Sequence, residues 1–265
     1  RDFCLSRGLG DVYKRQIYFR MSIDMTKVWA HRGASAYAPE NTIPAFQMAM
    51  EMGADGLELD VHESSDGKLM VIHDERIDRT SNGTGRVVDM TCQQLKKLDF
   101  SNRMPGYKDV RIPTLREVYG LIKDSRMTVN VEIKCDVVIY PGIWDKVISL
   151  EREMGMQGRI IYSSFNHYVL QKVRELDPDA EIGLLYANAM VDPWVYAKYL
   201  NANAIHPNYR AALLCPGLME GCVKNGVAVN PWTVNEAKDV MALAAKGANA
   251  VITNCPDVAL RALGR

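Results

Sequence analysis

Glu58 and Asp60 stand two residues apart inside the apolar run GLELDV (56–61). On a strand that spacing turns both carboxylates to one face. Glu132 and Lys134 repeat the spacing at the end of TVNVEI (128–133). Neighbouring strands lie about 4.8 Å apart, so three carboxylates on adjacent strands would crowd one mouth. Uncompensated, they would repel and raise one another's pKa. A hard divalent cation taking oxygen ligands, Mg²⁺ or Ca²⁺, relieves that repulsion. The alternative is pairing with Arg32 and Lys134 and no metal. His31 and His73 close two further apolar runs, VWA (28–30) and LMVIH (69–73). An imidazole of ordinary pKa accepts or donates a proton near neutrality. Two of them about one centre suit an in-line displacement at phosphorus, one acting on the nucleophile and the other on the leaving alkoxide. The alternative for each is a structural histidine bonded to a nearby carboxylate. Arg32 and Lys134 supply positive charge for a phosphate, Arg32 through a bidentate fork; a plain salt bridge is the other reading of Arg32.

These residues need a scaffold that brings strand ends together. Eight β-type runs are legible: 28–30, 56–61, 128–133, 159–164, 181–186, 203–206, 226–232 and 249–253. Each is nearly continuous in apolar residues, as expected for strands covered on both faces. Helix-type segments fall between them at 42–52, 114–124, 143–154, 166–176, 192–200, 216–225, 236–246 and 256–263. Eight strand–helix units in about 240 residues predict a TIM (β/α)₈ barrel, whose active sites form at the C-terminal ends of the strands. A doubly wound open sheet is the runner-up, and the Gly-rich dinucleotide loop it often carries is absent. LMVIH follows the turn Ser65-Asp66-Gly67 and reads as a hairpin extension of the second strand. The polar stretch 74–113 then forms a small inserted subdomain, with one helix expected over Thr91–Leu98. Insertions of this size often serve as lids or caps.

The chain has 265 residues, with 32 Lys+Arg against 32 Asp+Glu. Zero net charge argues against a nucleic-acid partner, which usually requires a basic face. No apolar run reaches the 18–20 or so residues that span a bilayer, so no stable membrane insertion is expected. Six cysteines without a Cys-x-x-Cys pair point to reduced thiols and a cytoplasmic protein. Residues 1–20 (RDFCLSRGLGDVYKRQIYFR) show no helical or strand period and lack a secretory apolar core. They read as a leader foreign to the native chain, with Met21 or Met25 as its start and 25–265 as a single domain.

The stretches WAHRGASAYAPENTIPAFQMAMEMGADGLELDVHESSDGKLMVIHDERIDRTSNGTG, RIPTLREV, VNVEIK, SSFN and VNPWTVNE together resemble the glycerophosphodiester phosphodiesterase family. The resemblance runs from about Lys27 to about Ala262. It implies the same barrel with an insertion after strand 2. It also implies metal-dependent hydrolysis of glycerophosphocholine, glycerophosphoethanolamine and similar small diesters to glycerol 3-phosphate and an alcohol. The family's metal ligands fall on Glu58, Asp60 and Glu132, its catalytic histidines on His31 and His73, and its phosphate contacts on Arg32 and Lys134. Trp232 would wall the substrate pocket. Whether water or the glycerol 2-hydroxyl attacks, which histidine is base, and whether the chain forms a homo-oligomer stay open.

Several positions read differently. Where the family often has Thr-Asp-x-Pro, this chain has Thr253-Asn254-Cys255-Pro256; Asn254 reads as the cap of the last helix and Asn41-Thr42 as that of the first. Glu40 is placed to hydrogen-bond a catalytic group. His62 and His167 read as bland, His206 as a strand-end residue that is either bland or lines the mouth, and Phe165 as packing the rim or meeting a headgroup. Three rivals remain. A lysophospholipase D would want an apolar lip, and the insertion segment SNRMPGYKDV is polar. A non-catalytic phosphate-binding protein would be expected to have lost a histidine or carboxylate. An aldolase or isomerase barrel would want a catalytic lysine or a Gly-rich phosphate loop.

Overall fold

The computed structural model describes residues 25–265; the leader read at 1–20 lies outside the described residues. Eight parallel strands form the wall of a TIM barrel. In chain order the elements are β1 (Lys27–His31), α1 (Ile43–Glu51), β2 (Gly56–Glu63), β3 (Leu69–Val71), α2 (Cys92–Leu95), α3 (Leu115–Ile122), β4 (Thr128–Ile133), α4 (Ile143–Met154), β5 (Ile160–Ser164), α5 (His167–Leu176), β6 (Glu181–Tyr186), α6 (Pro193–Tyr199), β7 (Ala204–Pro207), α7 (Tyr209–Leu214), α8 (Leu218–Lys224), β8 (Ala228–Val229), α9 (Ala237–Ala245), β9 (Ala250–Thr253) and α10 (Pro256–Ala262). The sheet order is β8-β7-β6-β5-β4-β2-β1-β9. The remaining seam is closed by backbone hydrogen bonds. Asn249 N–H donates to the Val229 carbonyl (3.0 Å), Ile252 N–H to Pro231 (2.9 Å) and Val234 N–H to Ile252 (2.9 Å). Register sets the site: His31 lies beside Glu58, and Asp60 beside Glu132.

Burial explains why these segments form strands. β2 is buried over seven of its eight residues and β4 over five of six. Helices α3 and α4 turn Leu115, Val118, Tyr119, Ile143 and Val147 into the shared core. Thr114 and Glu117 start α3 with a capping box.

β3 pairs antiparallel with β2, Val61 opposite Val71. Beyond it, residues 74–113 gather their own small core from Ile77, Val87, Leu95, Phe100 and Ile112 against Met70 and Ile72. Burying such a side chain is worth about 1.5–3 kcal/mol, enough to hold a mostly polar segment on the barrel. Three local expectations need correction. The helix expected over 91–98 covers only Cys92–Leu95. The single helix expected over 216–225 starts at Leu218 and is preceded by a separate turn of helix, Tyr209–Leu214, with Pro216 and left-handed Gly217 between them. The run 226–232 is a strand only at Ala228–Val229, since Pro231 lacks an N–H for the ladder.

Candidate active site

The mouth is built from strand ends. β2 presents Glu58 and Asp60, β4 presents Glu132, and all three are buried. One oxygen from each lies within 4.8 Å of the others. Burial, then Asp60 and Glu132, push the Glu58 carboxyl well above the usual carboxylate range; burial and Asp60 push Glu132 up. Asp60 goes the other way: against the burial that would raise it, Arg32, His73 and Lys134 hold it down. Asn41 Nδ2 donates to Asp60 Oδ2 at 2.8 Å, while Asp60 Oδ1 is buried without a hydrogen-bond partner.

Cations partly answer this charge. Lys134 Nζ sits 2.7 Å from Glu132 Oε1 and 3.9 Å from Asp60 Oδ1. Arg32 Nε is 3.4 Å from Asp60 Oδ2, its Nη1 donates to Glu40 Oε1 (2.9 Å), and its backbone N–H donates to Glu58 Oε2 (3.0 Å). Arg32 and Asn41 both adopt left-handed backbone, φ 58° and 57°, a conformation that costs non-glycine residues about 1–3 kcal/mol. Asn41 N–H donates to the Arg32 carbonyl at 2.9 Å and so ties the two together. Gly33 next to them is at φ 80°, and a Cβ there would meet Ala45 at 2.6 Å, so the turn carrying His31 and Arg32 requires glycine.

Glu40 also binds Arg79, which in turn grips Asp74 at 2.7 Å. If all were ionised, Glu40, Glu58, Asp60, Asp74 and Glu132 would outnumber Arg32, Arg79 and Lys134 by two charges, and after burial it is this repulsion that pushes Glu58 and Glu132 up. Three carboxylate oxygens, one from each residue of the Glu58, Asp60 and Glu132 cluster, lie within 4.8 Å of one another, and Asp60 Oδ1 has no hydrogen-bond partner; such a donor set suits a hard divalent cation.

The histidines stand at two ends of this trough. His31 Nδ1 lies 2.6 Å from Asn254 Oδ1, and its Nε2 is 3.9 Å from Glu58 Oε2. Burial first, then Arg32, lower His31 to about 4. His73 Nδ1 lies 2.6 Å from Asp74 Oδ1, and its Nε2 is 3.4 Å from Lys134 Nζ. Against burial, hydrogen bonds from Arg79 and His73 hold Asp74 down to about 2. The pocket between them, about 400 Å³ when the space open to solvent is counted, is also lined by Phe165, Leu185, Trp232 and Ile252. Trp232 Nε1 donates to the His206 carbonyl (2.8 Å), and its ring meets Phe165 edge-on at 5.6 Å.

A model of the glycerophosphoryl diester phosphodiesterase family matches residues 31–258. The chain belongs to that family. It is 48% identical over 236 residues to a glycerophosphodiester phosphodiesterase of Caldanaerobacter subterraneus subsp. tengcongensis, covering 88% of this chain and 95% of that one. To a Bacillus altitudinis protein of the same name it is 36% identical over 241 residues, covering 89% and 98%. The structure of an Oleispira antarctica phosphodiesterase in complex with sn-glycerol-3-phosphate superposes with a TM-score of 0.81 at 26% identity, covering 91% of this chain and 98% of that one. As a glycerophosphodiester phosphodiesterase family member, the chain is an enzyme of the phosphoric diester hydrolase class.

The geometry brings together every residue singled out for this family's chemistry: His31, Arg32, Glu58, Asp60, His73, Glu132, Lys134 and Trp232. Three other readings change. Asn41 does not cap the first helix; Thr42 holds the cap position, and Asn41 clamps Asp60. Asn254 does not cap the last helix; Cys255 holds that position, and Asn254 faces His31. His206 does not line the mouth; it is fully buried lower in the barrel, where Asn230 Nδ2 meets its Nε2 at 2.9 Å. A Cβ on Gly183 would lie 2.3 Å from that ring, so β6 needs glycine there. His62 stays outside the pocket, bridging Tyr140 and the His73 carbonyl. Sequence reasoning passes over Asp74 and Arg79; adjacency to His73 is the signal for Asp74.

Proposed function

We propose that residues 25–265 form one catalytic unit that hydrolyses glycerophosphodiesters, such as glycerophosphocholine and glycerophosphoethanolamine, to sn-glycerol 3-phosphate and an alcohol, with Mg²⁺ or Ca²⁺ held by Glu58, Asp60 and Glu132. The observation that carries this reading is the trough itself: a three-carboxylate cluster within 4.8 Å, flanked by His31 and His73 and lined by Arg32 and Lys134. The product named in the Oleispira structure supports the same substrate class. When bound, the cation would neutralise phosphate and glycerol oxygens.

Arg32 and Lys134 stabilise charge on the non-bridging oxygens. His31, neutral near pH 7 because burial holds it to about 4, accepts the proton of the nucleophile, water or the glycerol 2-hydroxyl. His73, its Nδ1 held by the Asp74 carboxylate at 2.6 Å, delivers a proton to the leaving alkoxide from Nε2 once that nitrogen is protonated and Lys134 Nζ, 3.4 Å from it, has turned to the phosphate. Trp232 and Phe165 wall the substrate. Five free cysteines among the described residues support a reducing, cytoplasmic setting.

The test is glycerol 3-phosphate release from both diesters after chelation and again after added Mg²⁺ or Ca²⁺. Release abolished by EDTA and restored by metal is the expected result. Release that survives thorough chelation removes the metal from the reading.

One observation favours a second substrate. Val137, Ile139, Tyr168, Val191 and Leu214 are exposed on the segments that follow β4, β5, β6 and β7, four neighbouring strands. Exposed apolar side chains on that side of the barrel would suit the acyl chain of a lysophospholipid, as in a lysophospholipase D reaction. Among the described residues no helix is long and apolar enough to cross a membrane. Choline release from lysophosphatidylcholine beside glycerophosphocholine separates the readings; a preference for the lysolipid would make it the better substrate class.

A further inference from the structure

We infer that Asn254 is the positioning residue for His31, fixing its Nδ1–H tautomer with a neutral amide so that the Nε2 lone pair faces the pocket. The inference rests on the reading of His31 as the group that accepts the nucleophile's proton.

Three observations carry it. First, Asn254 Oδ1 lies 2.6 Å from His31 Nδ1, while Nε2 points to the carboxylate side of the pocket, 3.9 Å from Glu58. An amide oxygen only accepts, so the ring nitrogen facing it must be the protonated one. Second, Asn254 is held by its backbone on both sides. Its N–H donates to Asn235 Oδ1 (2.9 Å), and its carbonyl accepts from Ala36 N–H (3.1 Å). The loops after β1 and β9 are thereby joined beneath the histidine. Third, the Ser35 hydroxyl lies 2.7 Å from the His31 carbonyl and 3.0 Å from Asn254 Oδ1. It reaches the backbone of the histidine and the side chain of its partner together, so ring and amide are set by one fixed corner.

The choice of Asn matters at this position. An aspartate would accept from Nδ1 with the same shape but would add a negative charge beside the ring and favour the imidazolium. The amide supplies the orientation without the charge, which suits a ring that must begin each turnover as an acceptor. An amide turned over would do the opposite. Its NH₂ would face Nδ1, force the Nε2–H tautomer, and present a donor to the pocket.

The experiment is ¹⁵N NMR of histidine-labelled protein, with the His31 resonances assigned through His31→Gln, paired with steady-state kinetics on glycerophosphocholine. The wild type should show Nδ1–H at His31. Asn254→Ala should mix the two tautomers and lower kcat by about 10–100-fold, the usual cost of losing an orienting partner, with KM retained. Asn254→Asp should restore the single Nδ1–H tautomer but move the acid-side fall of the kcat–pH profile to higher pH, because the added charge favours the imidazolium. An Nε2–H tautomer in the wild type, or a tautomer unchanged in Asn254→Ala, overturns the inference. A shifted tautomer with kcat intact leaves the positioning in place and removes His31 from the proton-transfer role instead. If the alanine variant folds poorly, Asn254→Ser carries the same two readouts.

Discussion

The two ends of the carboxylate trough hold their histidines by opposite means. At the β1–β9 seam, His31 is largely enclosed, with 15% of its side chain exposed, and its partner is a neutral amide. At the hairpin end, His73 is 32% exposed, and its partner is a carboxylate tied through Arg79 to Glu40 and on to Arg32. Burial, with Arg32 beside it, penalises the His31 cation more than the nearby carboxylates favour it, which on the proposed reading suits a proton acceptor at the seam. His73 instead has a carboxylate, Asp74, on its Nδ1, and on the proposed reading it serves as the proton donor. On that reading the same residue type takes two tasks according to what surrounds it.

The sharpest way to break this comparison is to remove the need for a donor. His31→Ala and His73→Ala should each lower turnover of glycerophosphocholine by roughly 10²–10⁴-fold, the span expected of acid–base catalysis. A diester whose leaving group is 4-nitrophenol departs without being protonated. On that substrate the His73→Ala deficit should shrink by an order of magnitude or more, and the His31→Ala deficit should persist. Equal deficits on both substrates would dissolve the division of labour, and a reversed pattern would exchange the two roles.

A second comparison is between groups that set the carboxylates and groups that set the histidines. Asn41 touches only Asp60 and its own loop. Its replacement by Ala should weaken the apparent affinity for the activating metal by about 10–100-fold, read as the metal concentration giving half-maximal rate, with the rate at saturating metal nearly restored. A rate that stays low at saturating metal would place Asn41 in the catalytic machinery instead.

Much of this architecture is legible in the amino-acid sequence. The barrel is, because each strand is apolar on both faces and each helix lies between two of them. The carboxylates are, because i,i+2 spacing on a strand admits one geometry. The two asparagines are not. An Asn just before a helix reads equally well as a cap or as a partner for something across the mouth, and only the closure of β1 against β9 and β2 decides. His206 is left open because a strand-end position gives no depth: its ring points down the barrel, not out of it.

Enclosure at the seam also has a consequence for stability. His31 is lowered to about 4 and His206 to about 3, both by burial first, from an ordinary 6.5. Below pH 6.5 the unfolded chain therefore binds protons that the folded chain refuses. The contribution of these two histidines to stability is full above 6.5 and falls as pH drops toward 4, with a slope of up to about 1.4 kcal/mol per pH unit for each. Urea midpoints of metal-free protein at pH 7 and pH 5 measure it, and His206→Gln should flatten the slope. An unchanged slope in that variant would mean that His206 charges in the folded protein.

The smallest effect is expected where the hairpin end is most open. Arg79 makes four hydrogen bonds to Asp74 and Glu40, yet 45% of its side chain is exposed. Ion pairs so placed are worth about 0–1 kcal/mol because water and salt screen them. Arg79→Ala should therefore lower kcat only a few-fold, and wild-type activity should drift toward the variant's as ionic strength rises. His73 would keep Asp74 as its direct partner, so the donor stays oriented while the outer clamp is gone. A loss in Arg79→Ala as deep as that in His73→Ala would show that the chain through Glu40 and Arg32 acts as one rigid unit with the phosphate site. The hairpin end would then be as strictly built as the seam.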